Sequence, residues 1–296
     1  MPADTRPPRI LSCGEVLWDL FPEGARFGGA PANFACHAAI LGGEVTMLSA
    51  VGKDARGDEA LAILDGFGLD TSLVQRIADA PTGSVGVNVD EAGKPAFEIH
   101  AGSAWDCIAW TGALEARIAD VDAIYFGTLG QRGETSRATI RRALKLAKQR
   151  GLLRVLDVNL RRPFYDAPLI RDSIAQASVL KLSDDELGEV TAACGIAMEA
   201  RAEATLRALL DDFELDAVVM TRGAKGALLV TADGALDQPG VPTVVVDTVG
   251  AGDSFTAAFV LGLLRGWARD VILREACWTA SAVCSQSGAV PIPSPA

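Results

Sequence analysis

From about residue 120 onward, short runs of β-branched and aliphatic residues alternate with longer stretches in which apolar positions recur at three and four. The short runs predict strands over 123–126, 153–158, 179–182, 217–221 and 243–246. The longer stretches predict helices, among them 136–150 and 202–213. Strands and helices in regular alternation bury their apolar faces together as a mostly parallel sheet covered on both sides, the doubly wound α/β arrangement. One segment, 82–101, keeps a different rhythm. Val85, Val87 and Val89 alternate with small or polar residues, the chain turns through Asp90-Glu91-Ala92-Gly93, and Phe97 and Ile99 resume the alternation. This predicts an antiparallel hairpin with one covered face. It suits a small separate sheet, placed as a lid over a cleft, or an extra hairpin on the edge of the main sheet. No internal repeat, low-complexity tract or linker interrupts the chain.

Composition narrows the picture. With 296 residues, 49% of them hydrophobic, the chain can bury the core of one large domain or of a domain with a small appendage. The longest apolar stretches, such as 255–264, are well short of the roughly 20 residues that cross a bilayer, so no membrane partner is expected. Segment 1–9 is polar, lacks the apolar core of a secretory signal and reads as an unstructured leader before a strand at 10–13. The net charge of -11 argues against a nucleic-acid partner, because phosphate contacts require clustered Lys and Arg. Cys13, Cys36, Cys107, Cys194, Cys277 and Cys284 form no Cys-x-x-Cys pair and read as reduced thiols of a cytoplasmic protein. His37 and His100 are the only histidines, too few for a multi-histidine metal site and poor material for a Ser-His-Asp triad.

The strongest local feature is the run over 243–246, then Asp247-Thr248-Val249-Gly250-Ala251-Gly252-Asp253, then an apolar helix over 254–265. Small residues there let successive N–H groups converge at a helix N-terminus, where the macrodipole also favours negative charge. The expectation is a phosphate cradle. Asp253 lies in that field, so its carboxylate should stay ionised beside an incoming phosphoryl group, as a base for phosphoryl transfer to an alcohol must. The same acid would also suit the first turn of any helix. Lys53 and Lys225 lack the upstream glycine and following hydroxyl of a P-loop, and no Gly-x-Gly-x-x-Gly follows the first strand.

Together these residues resemble the ribokinase-like, pfkB-type carbohydrate kinases, and within them bacterial fructokinases and 2-keto-3-deoxygluconate kinases. The likeness runs over about 10–291. Its most specific part is Asp247 to Asp253. The second is Gly28-Gly29-Ala30-Pro31-Ala32-Asn33, the helix after it, and Gly52-Lys53-Asp54-Ala55-Arg56-Gly57. The resemblance implies one ribokinase-like α/β domain over 10–291, a central mostly parallel sheet flanked by helices, with a small antiparallel β lid formed by about 15–31 and 82–105. It implies an ATP-dependent sugar kinase, most readily a fructokinase, with Mg2+ accompanying ATP, K+ as a further ion, and pairing of two copies through the lid.

Residue by residue, the resemblance makes Asp253 the base and the amides of Gly250, Ala251, Gly252 and Asp253 the anion hole. Asp19, five residues after Gly14, takes the place of the sugar-binding aspartate. Gly28 and Gly29 bring backbone close to the sugar, and Asn33 offers it both a donor and an acceptor. Those glycines would also make a turn, and Asn33 a helix cap. Asp157-Val158-Asn159-Leu160-Arg161 matches a run of the fructokinase and ketodeoxygluconate kinase branch, in which Asn159 and Arg161 meet phosphate oxygens. A surface salt bridge is the other use of Arg161. Lys181 and the turn Thr221-Arg222-Gly223-Ala224-Lys225-Gly226 fall in the nucleotide site, although the pair Gly223 and Gly226 alone signals only a hairpin. Ser183-x-x-Glu186 stands where relatives carry Asn-x-x-Glu, which ties Glu186 to magnesium through water. It is also a capping box. Asp247, Val249 and Gly288 lie where relatives bind a monovalent cation, though Asp247 would equally cap its loop.

Three alternatives stay open on sequence. A ketodeoxygluconate kinase is disfavoured by the absence of a clearly placed arginine over 96–106. A nucleoside kinase would share the same fold. A catalytically idle sensor of sugar or nucleotide would have no need for Asp253.

Overall fold

The computed structural model describes residues 6–89 and 95–290. In chain order the strands are β1 (Arg9–Cys13), β2 (Leu17–Phe21), β3 (Gly24–Gly28), β4 (Glu44–Gly52), β5 (Val74–Ile77), β6 (Gly83–Val89) and β7 (Pro95–Ile99). They continue as β8 (Ala123–Gly127), β9 (Leu153–Asp157), β10 (Val179–Ser183), β11 (Ala217–Thr221), β12 (Ala227–Thr231) and β13 (Gly234–Gln238). The helices are α1 (Ala30–Ile40), α2 (Ala55–Gly66), α3 (Gly112–Ile118), α4 (Glu134–Gln149), α5 (Ala167–Gln176), α6 (Asp184–Cys194), α7 (Ala202–Asp212), α8 (Ala251–Leu264) and α9 (Arg269–Cys284).

Among the described residues the strands make two sheets. The larger has the order β13-β12-β11-β10-β9-β8-β1-β4-β5. It is parallel from β5 to β11, with β12 and β13 added antiparallel. Alternate residues of its strands feed opposite cores. Ile10, Tyr125, Val155 and Val179 face the layer of α1, α8 and α9, whereas Leu11, Ile124, Leu156 and Leu180 face the layer that includes α4 to α7. Helix α8 lies inside its layer: every residue from Ser254 to Gly262 is buried, as expected of a helix apolar all round. By contrast α4 buries one stripe, Ile140, Ala143, Leu144 and Ala147.

The smaller sheet has the order β3-β2-β6-β7. The hairpin expected over 82–101 is thus β6 and β7, paired antiparallel, and it joins β2 rather than the main sheet. Its turn, Asp90 to Gly93, lies outside the described residues, as do Met1 to Thr5 of the leader and Pro291 at the end of the expected domain.

The run over 243–246 forms no strand. Val244, Val245 and Val246 are 83%, 60% and 62% exposed. β-Branched residues suit a strand only where a ladder partner is available, and the sheet edge here is already occupied by β13. The segment instead meets the C-terminal end of α9, with the Val246 N–H donating to the Cys284 carbonyl at 2.8 Å. The helix expected over 254–265 begins three residues earlier, which puts Asp253 inside its first turn.

Candidate active site

The strand order reverses at β1: from it the chain builds outward to β4 and β5 on one side, then returns through β8 to fill the other. Loops diverge at such a switch point and leave a crevice beyond the carboxyl ends of the strands. A cavity of about 510 Å³ lies there. The small sheet closes one side through Leu17, Asp19, Val85 and Ile99, and the start of α8 closes another through Gly250, Gly252 and Asp253.

The start of α8 is shaped for an anion. Gly250 sits at φ +80°, and a side chain there would run into the backbone of Ala289; only glycine fits. The first intrahelical bond runs from the Ser254 N–H to the Gly250 carbonyl at 2.9 Å. The N–H groups of Gly252 and Asp253 precede it, in the turn that lacks intrahelical partners. Ala251 is different: its N–H turns back to the Thr248 carbonyl at 3.3 Å, and it does not line the cavity.

Asp253 faces the cavity and accepts a hydrogen bond from Asn33 Nδ2 at 2.9 Å. Sequence reasoning expected the helix field to keep this carboxylate ionised. Burial acts the other way and lifts its pKa above the ordinary carboxylate value, with the Asn33 bond, Lys181 and Arg161 pulling it back. A raised pKa makes a stronger base once the proton is lost.

Beneath this turn lies a buried ion pair. Lys181 on β10 and Asp157 on β9 are register partners, and Lys181 Nζ lies 3.0 Å from Asp157 Oδ1. The Thr256 hydroxyl is 3.3 Å from Asp157 Oδ2 and 2.8 Å from the Gly252 carbonyl, tying the pair to α8. Burial alone would discharge Lys181, but Asp157, Glu186 and Asp253 hold its pKa above the ordinary lysine value. Lys181 therefore presents a fixed positive charge to the cavity it lines. Across the cavity, Asn159 takes a left-handed backbone at φ +41°, unusual for a residue with a side chain and common at working sites. Arg161 lines the same wall and forms no ion pair among the described residues; its Nη1 donates to the Leu160 carbonyl at 3.0 Å.

At the opposite end stand Asp19, Gly29 and Asn33. Burial pushes the Asp19 carboxyl up to about 6, against the pull of Arg161 and Arg26. Gly29 precedes α1 at φ +105°, and a Cβ there would meet the Glu15 carbonyl at 2.5 Å. Asn33 lies within α1, so it caps nothing. Gly28 is set back from the cavity, opposite Leu17 in the small sheet. Glu15 was overlooked in the sequence, where it is one acid in an otherwise apolar strand exit; it is 3% exposed and lines the cavity.

Of the remaining candidates, Val249 lines the cavity, whereas Glu186, Thr221, Gly223, Gly226, Asp247 and Gly288 lie outside its lining. Glu186 completes a capping box: its Oε2 accepts from the Ser183 N–H at 2.8 Å, and its Oε1 accepts from the Leu160 N–H at 2.7 Å. Thr221 ends β11, and Gly223 and Gly226 form the antiparallel turn into β12, the hairpin that this glycine pair alone would signal. Asp247 accepts the N–H groups of Val249 and Gly288, both at 3.0 Å. Burial would raise its pKa, yet these bonds hold it below the ordinary value. The small-sheet residue Arg26 approaches the same carboxylate at 3.9 Å.

This arrangement can hold an anion at one end and a hydroxyl compound at the other, with a carboxylate between them. Comparison with known proteins gives the same family as the sequence. Residues 24–296 match the pfkB family carbohydrate kinases. A probable fructokinase-5 of Arabidopsis thaliana is 30% identical, the alignment covering 98% of this chain and 95% of that protein. The aminoimidazole riboside kinase of Salmonella typhimurium is 29% identical over 93% of this chain and 87% of its own. Among solved structures, an uncharacterized sugar kinase from Pyrococcus horikoshii in complex with ATP superposes with a TM-score of 0.79 at 26% identity, covering 95% of this chain and 93% of its own. The chain belongs to the pfkB family of carbohydrate kinases.

Proposed function

We propose that this carbohydrate kinase transfers the γ-phosphoryl group of ATP to a primary hydroxyl of a neutral sugar, with fructose the first candidate. The observation that carries the reading is the position of Asp253: inside the first turn of α8, facing the cavity, and held by Asn33. Asp253 would take the proton from the sugar hydroxyl as the oxygen attacks. The N–H groups of Gly250, Gly252 and Asp253, with Lys181 and Arg161, would meet the charge that develops on the transferring group. Asp19, Gly29 and Asn33 would orient the sugar, with the small sheet as lid. The Thr221 to Gly226 turn would border the nucleotide.

Among the described residues no group of three or more His, Cys, Asp or Glu could cage a metal. That fits a magnesium ion that arrives on the ATP phosphates and keeps its waters, with Glu186 reaching those waters at most. When bound, the ion would supply charge neutralisation. The reading extends to a cytoplasmic setting, which suits the free cysteines. It also extends to K+ around Asp247, Val249 and Gly288, and to pairing of two copies through the lid. No helix among the described residues is long and apolar enough to cross a membrane.

Fructose is favoured over a sugar acid because two carboxyls, Glu15 and Asp19, line the sugar end. The resemblance to fructokinases also supports it. A coupled kinase assay over fructose, ribose, ketodeoxygluconate and adenosine tests the choice: the highest kcat/KM is expected with fructose, and preferred turnover of another would replace it. Acid pH should weaken sugar use. As pH falls through about 6, Asp19 gains a proton and loses an acceptor, so KM for the sugar should rise about tenfold by one unit lower if only the ionised form binds. Asp19→Asn should already have the high KM and lose the part of the limb near 6, leaving only that of Glu15, which burial lifts to about 7; an unchanged acid limb in KM would remove Asp19 from the sugar site.

A further inference from the structure

We propose that Glu15 is a second hydroxyl-binding carboxylate of the sugar end, its Oε2 accepting a hydrogen bond from a substrate hydroxyl other than the one deprotonated by Asp253. This deepens the sugar-kinase reading and rests on it. Glu15 follows β1 directly into the cavity, and the backbone N–H groups of Glu15 and Ala30 pull its carboxyl pKa down against burial. Its Oε2 is buried and has no hydrogen-bond partner among the described residues. A buried acceptor without a partner is costly, so a fold retains one where a ligand completes it.

A second orphan stands nearby. Asn33 Oδ1 is also buried without a partner, although the Nδ2 of the same amide is held by Asp253. Asn33 is 5% exposed and lines the same cavity. Asn33 Oδ1 is an acceptor, and Glu15 Oε2 is one in the ionised carboxylate, so the ligand that suits them carries donors: a compound with several hydroxyls. A sugar carboxylate would bring acceptors against acceptors. Burial lifts the Glu15 carboxyl to about 7, with Asp253 adding to the rise and Arg161 opposing it, the behaviour of an acid enclosed beside other site charges rather than one facing water.

The test compares wild type with Glu15→Gln on fructose and on each of its monodeoxy analogues. Glu15→Gln keeps the shape and the contact with α1 but replaces one acceptor oxygen with an amide donor. KM for fructose should rise on the order of tenfold, with kcat and KM for ATP within about threefold. For one monodeoxy analogue, wild type should already show the variant's kcat/KM, because the hydroxyl that Glu15 receives is missing. Glu15→Asp, which retracts the carboxylate, should lose the same discrimination and serves if the glutamine variant folds poorly. Equal losses on fructose and every analogue, or a lower melting midpoint with unchanged sugar KM, would overturn the proposal and leave Glu15 a support of α1. Wild-type protein that turns over none of these sugars would overturn the sugar-kinase reading, and this inference with it.

Discussion

Asp253→Asn should lower kcat by roughly 10² to 10⁴, the range for losing a general base, while nucleotide binding stays within a few-fold. The amide keeps an oxygen for Asn33 Nδ2, now at 2.9 Å from the carboxylate, so the wall of the cavity should hold its shape. Asp253→Ala would remove that partner as well and leave Asn33 without a hydrogen bond from its side chain. The asparagine variant is therefore the cleaner probe. Stopped-flow binding of a fluorescent ATP analogue and steady-state turnover, measured on the same preparation, separate chemistry from binding. Near-normal kcat in this variant would reduce Asp253 to an acid decorating a helix start.

Lys181→Met should produce the largest loss of stability. Asp157 is 1% exposed, and removing its only close cation among the described residues leaves a buried charge with the weak Thr256 contact there. Breaking a buried pair from one side costs about 3–5 kcal/mol, readable as a shift of the urea midpoint. The double variant Lys181→Met with Asp157→Leu should recover much of that, since no buried charge is then stranded. Activity should not recover, because the positive charge beneath Gly252 is still missing; a Cβ at Gly252 would lie 3.2 Å from Lys181 Nζ. A single variant less than about 1 kcal/mol below wild type would show that Asp157 finds other compensation.

How much of this could be read from the chain depends on the range of each interaction. Helix α8 and its glycine loop were legible because the signal is local: Gly250 and Gly252 lead directly into a run of apolar residues. The strands β8 to β11 were legible because buried parallel strands are short apolar runs. Val244, Val245 and Val246 misled for the same reason, since propensity does not say whether a ladder partner exists, and here the edge is taken by β13. Strands β12 and β13 were missed as sheet elements, although Gly223 and Gly226 marked the turn from β11 into β12.

Within the site, Asp19, Asn33 and Asp253 were singled out from three separate stretches, and the fold brings all three to one cavity. The pairing of Lys181 with Asp157 could not be read, because register between β9 and β10 sets it and 24 residues separate the two. Glu15 was equally hidden: its burial depends on α1 and the small sheet closing over it. The rise in the Asp253 pKa could not be read either, because a helix field can be inferred from sequence, whereas enclosure by the fold cannot.

The role of Asp253 is read most directly by 31P and 13C NMR of the product formed from ATP and fructose by wild type and by Asp253→Asn, at equal protein concentration. Wild type should give one phosphate ester at a primary carbon with matching ADP, and the variant should give almost none in the same time. ATP consumed without an ester would contradict sugar phosphorylation, and an ester formed equally fast by the variant would contradict Asp253 as the base.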